Sequence, residues 1–206
     1  MRVSLMMFSF LVAAGAQADP DLAAQARIEQ QALSANAPIA RRDGNALLLT
    51  LATKSVARLN SVPSCAGPED CLHYHLMGMS PDRQFFDVAA QAYESATRFW
   101  ISRASGQRVE VYAEPHASPD RKYIVSANPV EFGGTNGVFV WEVERGELRE
   151  RFRSEPSDHR LYGFVRWVDA STVQLAGADG ACPAKLSRRH GRWKLTTDAT
   201  VSCKQR

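Results

Sequence analysis

A run of potential soft-metal ligands occurs at residues 71–79, where the sequence reads CLHYHLMGM. Alternate residues of a β-strand point to the same face. Thiolate, imidazole and thioether groups are the ligands that Cu(I) and Ag(I) prefer. If this segment is a strand, five such groups share one face, and a weak soft-metal site is one interpretation. Apart from Cys71, its ligands would be His73, His75, Met77 and Met79.

An ordinary strand explains the same segment without a metal. Leu72, Tyr74 and Leu76 alternate with the potential ligands and provide an apolar face for a core. Side chains two apart on a strand are separated by about 6.6 Å, so five of them cannot converge on one ion. We favour this interpretation, and the sequence therefore predicts no cofactor.

The N-terminus has the features of a cleaved signal peptide. Arg2 precedes an apolar run that ends at Ala14, and Ala16 and Ala18 fit the A-x-A rule for cleavage. The run is too short to span a bilayer, and no later segment is long and apolar enough to do so. We therefore expect residues 1–18 to be removed and the mature chain to be a periplasmic protein without a transmembrane segment.

The overall charge argues against a nucleic-acid partner. The chain has 25 Lys and Arg residues against 22 Asp and Glu residues, with a formal net charge of +3. A nucleic-acid-binding domain usually carries a strong basic excess. We therefore expect no binding to nucleic acid.

The four cysteines predict two disulfide bonds, because exported chains meet an oxidising compartment. Cys65 and Cys71 flank a Gly/Pro loop, and Cys182 and Cys203 flank a predicted hairpin. We prefer these two pairs among the three pairings that four cysteines allow.

Two kinds of segment recur about every 40 residues, which is a period typical of propeller blades. Residues 80–90 and 118–128 both begin Ser-Pro-Asp-Arg and continue as an alternating apolar run. A strand, a Gly-centred turn and a second strand occur at 98–112 and at 138–152, and a weaker copy turns at Gly191. Each repeat is expected to form a small antiparallel sheet, which must stack on the neighbouring sheets to bury its apolar face.

These units set the predicted fold and domain organisation. We expect an all-β fold, an antiparallel β-meander of about three blade-like repeats in a partial or small propeller-like stack. Residues 45–62 would form an incomplete first unit within a single domain at 45–206. Residues 20–36 favour a helix, and this helix, in an N-terminal segment at 19–44, is polar enough to lie loosely on the surface.

The repeats resemble those of TolB-type and other β-propellers. The shared features are the Ser-Pro-Asp turn before an alternating strand, the hairpin VFVWEVERGELRERF and the segment RWVDASTVQLAG. The order of segments over residues 45–195 is also similar to a group of uncharacterised exported proteobacterial proteins. The resemblance implies a fold and not an activity, because propellers host many functions. With about three and a half units against the usual four to eight blades, an open stack and a closed ring are both compatible with the sequence.

Two clusters of basic residues could contact an anionic partner. Arg149, Arg151 and Arg153 share one face of a strand, but a two-residue turn places Glu142 opposite Arg149 and partly neutralises this cluster. The cluster around the last turn lacks such acidic neighbours and is the better candidate for contact with a protein partner or a membrane surface. Its partner-binding candidates are Arg188, Arg189, Arg192 and Lys194.

Catalytic signatures are weak in this sequence. It contains no nucleophile elbow, zinc-protease motif, P-loop or dinucleotide-binding motif. The glycine-rich residues 132–137 lie between two predicted strands, which is typical of a hairpin loop, and Asp158-His159 has no recognisable nucleophile. We therefore expect that the chain is not an enzyme.

The favoured function is an exported periplasmic binding module that recognises a protein partner or self-associates. An inhibitor, an immunity factor and an envelope-assembly component all fit a disulfide-stabilised stack of sheets. Two alternatives stay open: a soft-metal handling protein that uses the His/Met strand at 73–79, and a periplasmic hydrolase whose signature the sequence does not reveal.

Overall fold

The computed structural model describes residues 20–62, 71–93, 95–132, 134–156, 160–178 and 182–197. Within them the chain forms one α-helix followed by fifteen β-strands in four antiparallel sheets. The predicted all-β fold with a short N-terminal helix is therefore confirmed. The predicted signal peptide lies outside the described residues, and no helix within them is long and apolar enough to cross a bilayer.

Each sheet is a meander whose strands follow one another in chain order. The helix α1 spans Pro20–Ala35, and the first sheet contains β1 Ala40–Asp43, β2 Ala46–Thr50 and β3 Val56–Asn60. The second sheet contains β4 Leu72–Met79, β5 Phe85–Ala92, β6 Ala96–Ser102 and β7 Arg108–Glu110. The third contains β8 His116–Ala117, β9 Tyr123–Asn128, β10 Gly137–Glu144 and β11 Glu147–Ser154. The fourth contains β12 Leu161–Asp169, β13 Thr172–Ala178, β14 Ala184–Arg189 and β15 Arg192–Thr197.

Glycine turns connect the last two strands of the second, third and fourth sheets. Gly106, Gly146 and Gly191 have φ values of 80°, 80° and 78°, a left-handed backbone that glycine adopts without a steric cost. At Gly106 a Cβ atom would lie 2.9 Å from a side-chain carbon of Leu51 in the first sheet. The three glycines therefore allow the tight turns of the hairpins, and Gly106 also allows the first and second sheets to approach closely.

Three apolar clusters join the sheets in sequence. The first cluster packs α1 and the first sheet against the second sheet, with Leu49 and Phe86 at its centre. The second joins the second and third sheets through Trp100 and Trp141, and the third joins the third and fourth sheets around Val173. None of these clusters, as far as the structure describes the chain, joins the first sheet to the last. Within the described residues the apolar core therefore runs from sheet to sheet in chain order.

The outward faces of the two terminal sheets are charged. Arg41 and Arg58 flank the central strand of the first sheet on this face. Arg166, Gln174 and Lys185 lie side by side on the outer face of the last sheet. The outer face of the last sheet is therefore polar, whereas on the first sheet the residue between Arg41 and Arg58 is Leu48, which is only 6% exposed.

The helix α1 is anchored to the second sheet, so the prediction that it lies loosely on the surface is wrong. Glu29 is only 9% exposed. Its carboxylate accepts hydrogen bonds from Arg42 Nη2 at 2.5 Å and from Leu76 N at 3.1 Å, and it lies 3.2 Å from His75 Nδ1. The prediction failed because it considered the average polarity of the helix, whereas the buried Glu29 carboxylate and the apolar contacts of Ala32 and Leu33 attach the helix.

The same contacts cover the free edge of β4. Leu76 N donates to Glu29, Tyr74 N donates to Ser61 Oγ at 3.0 Å, and the Arg42 guanidinium donates to Tyr74 O. An uncovered edge strand offers such groups to a strand of another chain. At these residues β4 is therefore not available for strand pairing with a partner.

Candidate functional site

The two Ser-Pro-Asp-Arg segments form the same turn on successive sheets. Ser80 Oγ donates a 2.6 Å hydrogen bond to Asp82, and Ser118 Oγ donates a 2.7 Å hydrogen bond to Asp120. Each serine oxygen also accepts a 3.0 Å hydrogen bond from the backbone of the first residue of the next strand. Because proline fixes φ at the second position, the turn is held rigidly and presents its fourth residue in a fixed direction.

Basic residues occupy the left-handed backbone conformation on five different turns. This conformation costs a non-glycine residue about 1–2 kcal/mol and is most often adopted by glycine, asparagine, aspartate or histidine, so the lysine and the three arginines are the unusual residues. In the described part of the chain, Tyr112 is the one further non-glycine residue with a positive φ. The five basic residues are Lys54 (68°), Arg83 (58°), Arg121 (59°), Arg145 (54°) and His190 (49°).

Within one sheet, every second connection of a meander returns to the same end. Contacts between neighbouring sheets, including that of Arg188 beside the His190 turn with Tyr123 beside the Arg121 turn, bring all five turns to one end. Contacts between the turns agree with this placement. Ala52 N donates to Arg103 O at 2.7 Å, and Arg103 N donates to Gln84 O at 2.8 Å. A Cβ atom on Gly146 would lie 3.6 Å from Ala104 Cβ. We call this surface the turn end and define it by Lys54, Arg83, Arg121, Arg145 and His190.

Four of the five basic side chains at the turn end have no hydrogen bond or ion pair with the rest of the described chain. The exception is Arg83, whose Nη2 donates to Asn36 Oδ1 at 3.0 Å. The other four side chains are exposed to solvent. They are Lys54, Arg121, Arg145 and His190.

Acidic groups also lie at the turn end, and two of them, Asp120 and Glu144, have described partners. Burial alone would raise the pKa of Asp120, but hydrogen bonds from Ser118 and from Lys122 N outweigh burial and hold the pKa below its usual value. The carboxylate of Glu144 lies 3.7 Å from Arg149. The turn end therefore carries basic side chains without a described partner together with acidic side chains, Asp82, Asp120 and Glu147, that form no ion pair within the described residues.

An open cleft of about 610 Å³ lies at the turn end between the second and third sheets. Arg145 and Arg149 contribute positive charge to its wall, and Glu144 and Glu147 contribute negative charge. Glu147 Oε1 accepts a long hydrogen bond of 3.4 Å from Ser102, and Oε2 is buried without a hydrogen-bond partner in the described structure. The cleft can therefore receive a polar group between charged walls.

The predicted partner-binding residues are divided between two faces of the last sheet. The Arg188 guanidinium lies 4.5 Å from the ring centroid of Tyr123 and donates a hydrogen bond to its hydroxyl group. Arg189 and Arg192 are paired across the β14–β15 hairpin and are exposed, as is Lys194. Arg188 therefore holds the last sheet against the third, whereas the other three residues face solvent.

The second basic cluster is partly neutralised, as the sequence predicted. Glu142 lies opposite Arg149 in the register. Its carboxylate forms its ion pair with Arg151 instead, at 2.5 Å, and Arg153 pairs with Glu150 at 2.8 Å. This strand face therefore carries less free charge than its arginines suggest.

A bulge separates one of the potential metal ligands of β4 from the others. The register shifts between Leu76 and Gly78, so that Met79 lies opposite Phe86. Met79 packs against the apolar cluster that contains Leu76 and Phe86. The prediction that all of the ligands share one face is therefore wrong at Met79, because a bulge adds a residue and inverts the alternation.

The two histidines of β4 remain neighbours. The ring centroids of His73 and His75 are 6.5 Å apart, and His75 Nδ1 is in hydrogen-bond contact with Glu29. The described residues contain no group of three or more His, Cys, Asp and Glu side chains that could hold a metal ion. A site that uses these histidines with Met77 stays an untested alternative, and an ion there would compete with Glu29 for His75.

Cys71 and Cys182 are both disulfide-bonded, and no described cysteine is a free thiol. Their predicted partners, Cys65 and Cys203, lie outside the described residues, so the pairing stays a prediction. Asp158-His159 also lies outside the described residues.

A buried polar group between sheets was missed by the sequence analysis. Arg98 donates two hydrogen bonds to Asp87, at 2.6 Å and 2.7 Å, and the His116 ring stacks on Phe164 with 3.7 Å between centroids. Burial lowers the pKa of His116; Glu114 opposes this effect, and Arg98 adds to it. These residues come from three different sheets, and no local pattern marks them.

Several solved structures are similar to this chain in fold. A putative 6-phosphogluconolactonase from Bacteroides fragilis is 18% identical with a TM-score of 0.39, and the match covers 78% of this chain and 52% of that chain. A second putative 6-phosphogluconolactonase, from Bacteroides uniformis, is 13% identical with a TM-score of 0.37, and the match covers 78% of this chain and 68% of that chain. A puromycin-hydrolyzing peptidase from Mycobacterium tuberculosis is 15% identical with a TM-score of 0.36, and the match covers 78% of this chain and 30% of that chain. This chain spans about half the length of the first of them. No protein-family model and no curated protein matches the chain.

These comparisons contradict the prediction that the chain is not an enzyme, because the similar structures include proteins named as a lactonase and a peptidase. The prediction rested on the absence of local catalytic motifs. Catalytic groups on a repeated β fold can come from separate loops that only the fold brings together. The exclusion of enzymatic activity is therefore withdrawn.

Proposed function

We propose that this chain is an exported binding module that recognises an acidic protein surface through the turn end. The observation that carries the proposal is the set of five basic residues in the left-handed conformation, on turns from all four sheets. Glycine would adopt this conformation without strain. The basic side chains are therefore kept at a conformational cost, which is typical of residues with a functional role.

The electrostatics of the turn end favour an acidic partner. Lys54, Arg121 and Arg145 are exposed and have no described counter-ion. Solvated charges of this kind raise the association rate and select the partner more than they raise affinity. The cleft beside Arg145 adds a recess in which a polar side chain of the partner can be held.

The proposal includes export to the periplasm, which rests on the signal-peptide features of residues 1–18. N-terminal sequencing of the protein recovered from the periplasmic fraction should begin at Asp19. Recovery of the uncleaved chain from the membrane fraction would contradict this part of the proposal.

Affinity capture with matched charge variants tests the partner. The wild-type protein is immobilised beside a turn-end variant, Lys54→Glu/Arg121→Glu/Arg145→Glu, and a control with the same charge change on the outer face of the last sheet, Lys185→Glu/Arg192→Glu/Lys194→Glu. Proteins retained by the wild type and the control but lost from the turn-end variant are identified, purified and titrated. We expect an acidic partner whose affinity falls as salt is raised.

Equal retention by all three proteins would contradict recognition through the turn end. Turnover of ester, lactone or peptide substrates that is unchanged in the turn-end variant, with no retained protein, would replace the binding module by a hydrolase. Circular dichroism of each variant checks that the sheets are intact.

A further inference from the structure

The last sheet carries a strong excess of basic residues. Its strands include six Lys and Arg side chains and one acidic residue, Asp169, the last residue of β12, which is exposed in the same row of the register as Lys194. Arg188 is on the inner face, against Tyr123. The remaining five basic residues are exposed on the other side, which we call the outer face: Arg166, Lys185, Arg189, Arg192 and Lys194.

The register of the sheet places these residues together. Arg166, Gln174, Lys185 and Thr196 form one row across the four strands. Arg189 and Arg192 form a pair at the end of the last hairpin. The rows alternate with the buried rows of the core, so the basic residues lie on one side of a continuous sheet.

Two exposed valines adjoin this basic face. The register of β12 shifts twice, and the residues left unpaired by the two bulges are Val165 and Val168. They are 46% and 56% exposed. One exposed valine is ordinary, but two at successive bulges of one strand, beside Arg166, place aliphatic side chains next to a cationic surface.

The aromatic residues of the sheet point the other way. Trp193 is 8% exposed, and Trp167 donates its indole N–H to His116 O at 3.0 Å on the inner side. The outer face therefore has no described aromatic side chain on which a nucleic-acid base could stack. Cations with adjacent aliphatic side chains are instead the combination that binds the interface of an anionic bilayer.

We propose that the outer face of the last sheet docks on a bilayer surface that contains anionic phospholipids. The five basic side chains contact the headgroup phosphates, and Val165 and Val168 enter the boundary between headgroups and acyl chains. This contact adjoins the turn end at His190, which lies between Arg189 and Arg192, and uses none of the other four turn-end residues.

Vesicle co-sedimentation of the purified protein tests the proposal, after its mass has shown that residues 1–18 are removed. The vesicles contain equal parts of phosphatidylglycerol and phosphatidylcholine, or phosphatidylcholine alone. We expect binding to the anionic vesicles only, with a loss of about tenfold or more in Lys185→Glu/Arg192→Glu/Lys194→Glu, because each basic residue near an anionic surface strengthens binding severalfold. The matched control, Lys54→Glu/Arg121→Glu/Arg145→Glu, should bind nearly as well as the wild type.

A second variant keeps all the charges. Val165→Ser/Val168→Ser should bind anionic vesicles more weakly and lose the part of the binding that persists at about 0.5 M salt. If the charge-reversal variant does not fold, the milder Lys185→Gln/Lys194→Gln replaces it with a smaller loss expected. Equal losses in the outer-face and turn-end variants would overturn the proposal, as would binding to a short DNA duplex or to polyglutamate without binding to the vesicles.

Discussion

Arg83 and Arg121 occupy the same left-handed position of two equivalent turns, with φ values of 58° and 59°, but their side chains have different surroundings. Arg83 Nη2 donates a 3.0 Å hydrogen bond to Asn36, which is 4% exposed at the end of α1. Arg121 has no such contact within the described residues. One arginine therefore attaches the helix, and its counterpart is exposed at the turn end.

Glycine substitution should separate these two roles. Arg121→Gly relieves about 1–2 kcal/mol of left-handed strain and loses about 0.5–1 kcal/mol through the greater entropy of the unfolded chain, so a small gain in stability is expected. Arg83→Gly also leaves the buried amide of Asn36 without its donor, which costs about 1–3 kcal/mol, so a net loss is expected. Urea unfolding of both variants measures the difference. Equal effects would mean that the Asn36 contact contributes little.

Removal of the Glu29 carboxylate should release α1 from the second sheet. Burial raises the pKa of Glu29, but hydrogen bonds from His75, Leu76 and Arg42 outweigh burial and lower the pKa below its usual value. Glu29→Gln should therefore lower the free energy of unfolding by about 2 kcal/mol at neutral pH. This loss is smaller than that expected on breaking a fully buried ion pair, because Arg42 is partly exposed. The exposed Glu131→Gln is the control.

Because Glu29 must be ionised, the stabilisation that it gives to the contact between α1 and the second sheet should be lost at low pH. Because the folded pKa of Glu29 is lowered, its contribution is present above the unfolded pKa of about 4.3 and is lost as pH falls through the folded value. The difference in unfolding free energy between wild type and Glu29→Gln should shrink on acidification. A difference that stays constant down to the lowest pH at which the protein folds would contradict this account.

His116 should make the fold less stable in mild acid. Its pKa is lowered by burial, so below about pH 6.5 the unfolded chain takes up a proton that the folded chain resists. The free energy of unfolding is therefore unaffected by His116 protonation above this pH and declines below it. His116→Phe keeps an aromatic ring against Phe164 and should show a smaller fall in melting temperature between about pH 7.5 and pH 5.5. His190→Asn, in an exposed turn, is the control and should resemble the wild type.

Arg188 should contribute to stability and not to binding. Its guanidinium lies over the Tyr123 ring and bonds to the Tyr123 hydroxyl, so Arg188→Ala should lose about 1–2 kcal/mol. Arg189→Ala removes an exposed side chain and should change stability by less than about 0.5 kcal/mol. Thermal unfolding measures both. Similar values for the two variants would show that the neighbouring residues are equivalent, as the sequence alone suggested.

Local patterns predicted the hairpins and their turns well. The turns at Gly106, Gly146 and Gly191 and the two Ser-Pro-Asp-Arg turns need only the conformational preferences of a few adjacent residues. An incomplete first unit was expected at 45–62, but its first strand, β1 at Ala40–Asp43, was not, because these residues were assigned to the N-terminal segment. The bulge in β4 was not predicted, because nothing in the alternation of CLHYHLMGM shows where an extra residue enters the strand.

The sequence by itself determined that the chain is an all-β stack of small sheets, because strand alternation and turn chemistry act between neighbouring residues. Only the tertiary structure decided which charges are free. It buried Glu29 of α1 against the second sheet with Arg42 and His75, placed Arg188 against Tyr123, and gathered basic residues from four sheets at the turn end. The physical reason is distance along the chain: these groups are far apart in sequence, and their protonation, pairing and exposure depend on which sheets the stacking brings together.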